Sequence, residues 1–152
     1  MAGDSPSNLT AQAVATTVAN TGSPIGTYPI IVSGASDANY TISYANGTLT
    51  VGKASLLITA DDKTKTYGSV NPSLTISYSG FVNGEDKASL TSLPAATTTA
   101  GTTSPVGNYA ISVSGAADTN YNISYVAGNL SITPETLTIS ADNKSKIYGA
   151  AN

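Results

Sequence analysis

The sequence predicts a mainly β protein built from tandem copies of one small module. Three observations carry that expectation. The stretch LLITADDKTKTYG at 56–68 returns as LTISADNKSKIYG at 137–149, 81 residues later. Around it, residues 9–71 align without a gap on residues 90–152, and 33 of 63 positions are identical. Along both copies, β-branched and aromatic residues alternate with small polar ones at period 2, the pattern of strands with one buried face. Self-similarity outranks length as a guide to architecture. A period of 81 is too long for a solenoid turn and suits a small domain with its own core.

The repeat divides the chain. Residues 1–8 form a start outside it, expected to be disordered. Residues 9–52 are the C-terminal half of a module, 53–134 a complete module, and 135–152 the beginning of the next. Met1-Ala2-Gly3-Asp4-Ser5-Pro6 lacks the basic and apolar regions of a signal peptide. Together with an end that falls mid-repeat, it suggests a piece cut from a longer array.

The elements follow in order. Residues 9–24 and 90–105 are Ala/Thr-rich and weakly patterned, which reads as an edge strand and a loop closed by Ser-Pro turns at 23–24 and 104–105. Tyr28–Val32 and Tyr109–Val113 alternate as strands. Pro29 has no amide hydrogen, which points to an edge or a bulge. Asp37-x-Asn39 and Asp118-x-Asn120 read as turns closed by Asx side chains. Tyr40–Tyr44, Asn46-Gly47 and Leu49–Val51 then read as a hairpin, since Asn-Gly suits a turn with two positive φ angles. Its second copy is Tyr121–Tyr125, Gly128 and Leu130–Ile132.

Lys53-Ala54 and Pro134-Glu135 are the inter-module joints, short enough to restrict the neighbouring modules. Leu56, Ile58 and Ala60 should face the core, as should Leu137, Ile139 and Ala141. Each strand runs on to Tyr67-Gly68 or Tyr148-Gly149, with a turn at Asp61-Asp62. In this signature, Tyr67 and Tyr148 should anchor the strand. Gly68 and Gly149 should end it where a side chain would obstruct the turn. Leu74–Tyr78 is a further strand. Phe81–Leu90 is the one expected helix, capped by Asn83 with Glu85 and Asp86 in its first turn.

Composition narrows the function. Charged residues are 10% of the chain, all six cations are Lys, and net charge is −3. No basic stripe exists for nucleic acid. Without His or Cys, disulfides, thiol chemistry and the commonest zinc ligands are excluded. No apolar run approaches the roughly 20 residues that cross a bilayer as a helix, so no membrane insertion is expected. Ser and Thr number 42 and Tyr nine, a composition typical of extracellular β repeats. The paired carboxylates Asp61-Asp62 and Glu85-Asp86 are adjacent, and adjacent strand residues point to opposite faces. No enzyme and no cofactor are expected.

Calcium is the ion that the available oxygen ligands would suit, with Asp37, Asn39, Asp118 and Asn120 as candidates, or Asp61, Asp62 and Asp142 near the joints. Against it, no D-x-D-x-D-G loop appears, and the same residues explain turns. Lys63 or Lys65 could form an isopeptide bond, yet both sit in a polar run, and buried Lys is rare. The recurring Tyr residues could stack on sugars. Their presence in both copies favours packing and cross-strand roles instead.

Lys-x-Tyr-Gly (65–68, 146–149), Asn71-Pro72, Gly-Phe-x-x-Gly-Glu-Asp (80–86), Pro-x-Gly-x-Tyr (24–28, 105–109) and Asn-Tyr-x-Ile-Ser-Tyr (39–44, 120–125) occur together. In this conjunction the chain resembles the MBG domain of the YGX type, over nearly its whole length beyond residue 8. The resemblance implies a compact β-grasp-like module with an antiparallel or mixed sheet and one short helix. It implies tandem repeats of large bacterial surface and secreted adhesins, with no active site and a loose link to mucin or glycan binding. The expected role is a non-catalytic stalk on the bacterial cell surface or in a secreted adhesin, with neighbouring repeats as partners. Two alternatives stay open. One is a glycan- or mucin-binding module that meets a host or biofilm surface. The other is self-association, in which 135–152 of one copy completes 9–52 of another and builds head-to-tail fibres.

Overall fold

The computed structural model describes residues 8–151, so residues 1–7 of the expected disordered start lie outside it. The described residues are mainly β, in antiparallel and mixed sheets as expected. The half-module forms β1 (Val14–Thr16), β2 (Gly26–Ser33) and β3 (Gly47–Val51), an antiparallel sheet in the order β1-β2-β3. β1 is an edge strand, as its weak patterning suggested. β2 is central in the strand order, but its Pro29 end has β3 as its one paired neighbour, so the start of the strand is an edge as the proline indicated. The proline is tolerated because β1 pairs only with Ile31–Ser33. The Val32 amide donates to Asn46 Oδ1 on the β3 side at 3.3 Å. By alternation, the Pro29 nitrogen faces the flank that β1 leaves open.

The complete module holds β4 (Ala54–Ala60), β5 (Lys63–Thr66), β6 (Ile76–Ser79), β7 (Ala95–Thr98), β8 (Gly107–Ser114), β9 (Tyr121–Val126) and β10 (Gly128–Thr133). They form two sheets, ordered β5-β10-β8-β7 and β6-β4-β9. The core lies between them. Leu56, Ile58 and Ala60 of β4 meet Ile111 and Val113 of β8, Leu130 and Ile132 of β10, and Tyr121 of β9. Along β4, β8 and β10 alternate residues enter this layer, as period-2 alternation requires, and burying each large side chain stabilises by about 1.5–3 kcal/mol.

One bent ladder ties the sheets together. β4 runs parallel to β9, with Ala54 opposite Tyr121, and β5 runs parallel to β10, with Thr66 opposite Thr133. Both pairings keep a constant offset of 67 residues, 121 facing 54 and 133 facing 66. The ladder therefore continues through a corner at Asp61-Asp62 and Ala127, where both strands switch sheets. Asp62 Oδ1 accepts the Asn129 amide at 2.7 Å and closes this corner. A Cβ on Gly128 would lie 2.3 Å from the Ala60 carbonyl oxygen, so only glycine fits where the strands cross.

This corner corrects the expected hairpin. β9 and β10 do not pair with each other, and neither Asn46 nor Gly47 has a positive φ. The glycine serves close approach of a third strand, not a tight turn. The expected helix over Phe81–Leu90 is a single 3-10 turn at Lys87–Ser89. Asp86, not Asn83, caps it, accepting the Ala88 amide at 2.7 Å. Asn83 and Gly84 both take positive φ (56° and 76°), which breaks any helix before it can nucleate.

Two segments contradict their own copies. Tyr40–Tyr44 carries no strand, although Tyr121–Tyr125 lies within β9. Residues 135–151 carry none either, although they repeat β4 and β5. Leu137 and Ile139, expected to face a core, are 83% and 88% exposed. The cause is common to both. Each segment corresponds to half of the parallel β4–β9 pairing, and among the described residues no strand ladder forms along it as β4 forms along β9.

Candidate functional site: the joint and the Lys-x-Tyr-Gly latch

The joint is short in space as well as in sequence. β3 ends at Val51 and β4 begins at Ala54, leaving Gly52 and Lys53 between them. Ala54 already belongs to the module, since its amide donates to the Asn120 carbonyl at 3.0 Å. At the far end, β10 stops at Thr133, and Pro134-Glu135 leads out with the Glu135 carboxylate accepting the Thr136 amide at 3.2 Å. A cleft of about 390 Å³ flanks the first joint, between Ser23 and Ile25 of the half-module and Asn83, Glu85 and Tyr121 of the complete one.

Tyr121 organises one wall. Its hydroxyl donates to Glu85 Oε2 at 2.5 Å and accepts the Val82 amide at 3.2 Å. Its ring meets Phe81 edge to face, with centroids 5.5 Å apart. Burial pushes the Tyr121 phenol above its usual range, and the neighbouring Glu85 adds to the rise. The Glu85 carboxylate, read as a helix-turn acid, instead pins this loop.

The Asx residues close turns. Asp37 Oδ1 accepts the Asn39 amide at 2.8 Å, and Asp118 Oδ1 accepts the Asn120 amide at 2.7 Å. Their second oxygens take the Thr10 and Thr91 hydroxyls at 3.0 and 3.4 Å. The bond from the Asn39 amide, then that from Thr10, holds the Asp37 carboxyl below its usual range. Asp61 is likewise held low by the Ser77 and Thr75 hydroxyls. Among the described residues, no three acidic side chains come together as a metal cluster.

The signature residues divide differently from the reading of the sequence. Tyr67 is 47% exposed and does not anchor the core. Lys65 does the inward work instead. Its side chain is buried, and its Nζ donates to the carbonyls of Ser69 at 3.0 Å and Gly101 at 2.7 Å. The ammonium is satisfied by backbone oxygens and latches β5 to the loop before β8. Asn71 adds a parallel bond to the Ala100 carbonyl at 2.6 Å. The signal for this role was the repeated Lys-x-Tyr-Gly spacing, masked by the polar run around it. Gly68 has φ 83°, with open space where a Cβ would stand. Its reason is backbone conformation, not the obstruction expected. Tyr148 and Gly149 lie in the exposed tail, where Gly149 keeps φ 84°.

The other recurring tyrosines tie the module to itself. Tyr28 and Tyr109 donate to the Pro24 and Pro105 carbonyls, and Tyr44 and Tyr125 to the Ala35 and Ala116 carbonyls. Their hydroxyls brace loops. No helix among the described residues is long and apolar enough to cross a membrane.

Recurring residues that hold turns, corners and loops define a structural class, a β repeat module. The family follows from comparison. A family model described as MBG domain (YGX type) matches residues 1–50 and 56–131, and the chain belongs to that family. No curated protein and no solved structure matches it.

Proposed function

We propose that the chain is a non-catalytic stalk segment of a bacterial cell-surface or secreted adhesin, which extends a distal binding region away from the cell. The observation that carries this reading is the direction of the bent ladder. The chain enters the complete module at Ala54, opposite Tyr121, and leaves it at Thr133, opposite Thr66. These are the two ends of the parallel ladder. Each module therefore adds its length to the array, up to about 40 Å of strand contour for the thirteen residues of 54–66 at about 3.3 Å per residue. Tension between Ala54 and Thr133 would load β4–β5 against β9–β10 in shear, so the ladder bonds share the force.

The short joint supports the same reading, because two residues between strands leave little freedom. The carboxylates of Asp37, Asp61, Asp62, Asp86 and Asp118 and the Tyr121 hydroxyl are engaged in turns, corners and loop braces. Small-angle scattering on an array of several modules tests the proposal. A rod-like profile whose length grows in proportion to module number is expected. The profile of a flexible coil would overturn it.

A further inference from the structure

Two Asn-Gly pairs occur in the chain, Asn46-Gly47 and Asn83-Gly84, and the structure treats them in opposite ways. Asn83 and Gly84 are the two central residues of a tight turn. Their φ angles are 56° and 76°, and the Glu85 amide donates across the turn to the Val82 carbonyl at 3.0 Å. Positive φ at both central positions is the geometry that Asn-Gly adopts most readily. Both residues are exposed, and neither the Asn83 side chain nor the Gly84 amide has a hydrogen-bond partner among the described residues. Nothing lies within 4 Å of the point where a Cβ on Gly84 would stand, so the approach to its nitrogen is open.

Asn46-Gly47 is held on both sides. Asn46 Oδ1 accepts the Val32 amide at 3.3 Å. Because that amide points towards β3, alternation turns the Ile30 amide the same way and makes Ile30 and Gly47 a hydrogen-bonded pair of the β2–β3 ladder. The Asn46 carboxamide and the Gly47 nitrogen are therefore both engaged. Asn71 precedes Pro72, whose nitrogen carries no hydrogen. Every other asparagine with a residue after it is followed by one that has a side chain, which hinders approach to the same nitrogen.

We propose that Asn83 is a site of spontaneous covalent modification, at which the folded protein converts asparagine to isoaspartate and aspartate with water as the only co-reactant. The Gly84 nitrogen attacks Asn83 Cγ. The bond from Cγ to Nδ2 breaks, and ammonia leaves with the proton that the Gly84 nitrogen loses. The product is a five-membered succinimide. Water then adds at either ring carbonyl. Cutting the bond from Cγ to the Gly84 nitrogen gives aspartate, and cutting the original main-chain bond gives isoaspartate. Ring closure rotates Asn83 out of its turn conformation, and the bond that this breaks is the one from Glu85 to Val82. At Asn46 the same rotation must break the Val32 bond and a ladder pair as well. Isoaspartate inserts one more atom into the backbone of the turn, and both products add a carboxylate. That turn is the clamp on Tyr121, whose hydroxyl accepts the Val82 amide on one side and donates to the Glu85 carboxylate on the other. Modification therefore slackens the hold on a buried core residue.

Prolonged incubation of the full chain in mildly alkaline buffer, followed by trypsin digestion and mass spectrometry, tests this. Cleavage after Lys65 and Lys87 releases Thr66–Lys87, which should gain about 1 Da, the difference between a hydroxyl and an amino group, in two chromatographically separate forms. An isoaspartyl methyltransferase should label the more abundant form. In the folded chain Asn83 should react about tenfold or more faster than Asn46, the weight of about one extra hydrogen bond to be broken. In concentrated urea the two rates should converge, because the pairs then differ only in flanking sequence. Equal rates in the folded chain, or no mass gain at Asn83, overturn the proposal. Asn83→Gly supplies a residue suited to positive φ and removes the carboxamide. After incubation the unsubstituted chain should melt below its fresh form, whereas Asn83→Gly should melt where its own fresh form does. An unsubstituted chain whose melting is unchanged once Asn83 has converted refutes the link to Tyr121.

Discussion

Ile58 and Ile139 occupy the same position of the repeat, and the structure gives them opposite weights. Ile58 is 0% exposed, between the two sheets of the complete module, whereas Ile139 is 88% exposed in the tail. Ile58→Ala removes buried methyl groups and leaves a cavity, which should cost about 2–5 kcal/mol. A module of this size is stabilised by only roughly 4–12 kcal/mol, so the loss is a large share of the total. It should lower the melting temperature by about 4–8 °C for each kcal/mol. Ile139→Ala removes the same atoms from solvent and should stay within about 0.5 kcal/mol. Urea unfolding in dilute solution, followed by circular dichroism or by the fluorescence of nine Tyr without Trp, measures both. The midpoint should fall for Ile58→Ala with little change of slope. Equal effects at the two sites would refute the argument that burial, not sequence, sets the weight of the position.

The two glycines of the corner make a second pair. Gly128→Ala should destabilise by about 1–3 kcal/mol or more through the collision with the Ala60 carbonyl, while Gly47→Ala should be nearly neutral in thermal melts. Stability should also respond to pH at both extremes. The Tyr121 phenol is raised above 10.0, so its contribution is whole below that pH and is lost as pH climbs through the folded value. Tyr121→Phe should flatten that alkaline loss. The Asp61 carboxyl is lowered below 3.8, so its contribution is present above that pH and fades as pH falls through the folded value; Asp61→Asn should flatten the acid limb of the same stability–pH curve. Single-molecule extension of a module array from its ends should show abrupt rupture of whole modules, as shear loading of β4–β5 against β9–β10 requires. Gradual unzipping at low force would contradict that geometry.

Much of the fold was legible. Leu56, Ile58 and Ala60 declared their face by alternation, and Asp37-x-Asn39 declared its turn, because such features depend on neighbours in sequence. The latch was not. Lys65 lies in a run of polar residues, and only the Ser69 and Gly101 carbonyls, the second of them 36 residues away, make its burial affordable. Asn46-Gly47 misled for a related reason. A glycine that admits a crossing strand looks, in sequence, like a glycine that permits a turn.

By itself the sequence determined the repeat, the mainly β class, the buried face of β4 and the family, all of which follow from local pattern and periodicity. Tertiary structure alone decided which copies of the pattern become strands. Tyr121–Val126 is a strand because β4 lies beside it, and Tyr40–Tyr44 is not, with five residues of nearly the same sequence. LLITADDKTKTYG is core and corner, while LTISADNKSKIYG is exposed chain. The physical reason is that a strand cannot satisfy its own backbone. Its hydrogen bonds and its apolar face both need a neighbour, and no residue pattern within the segment can supply one.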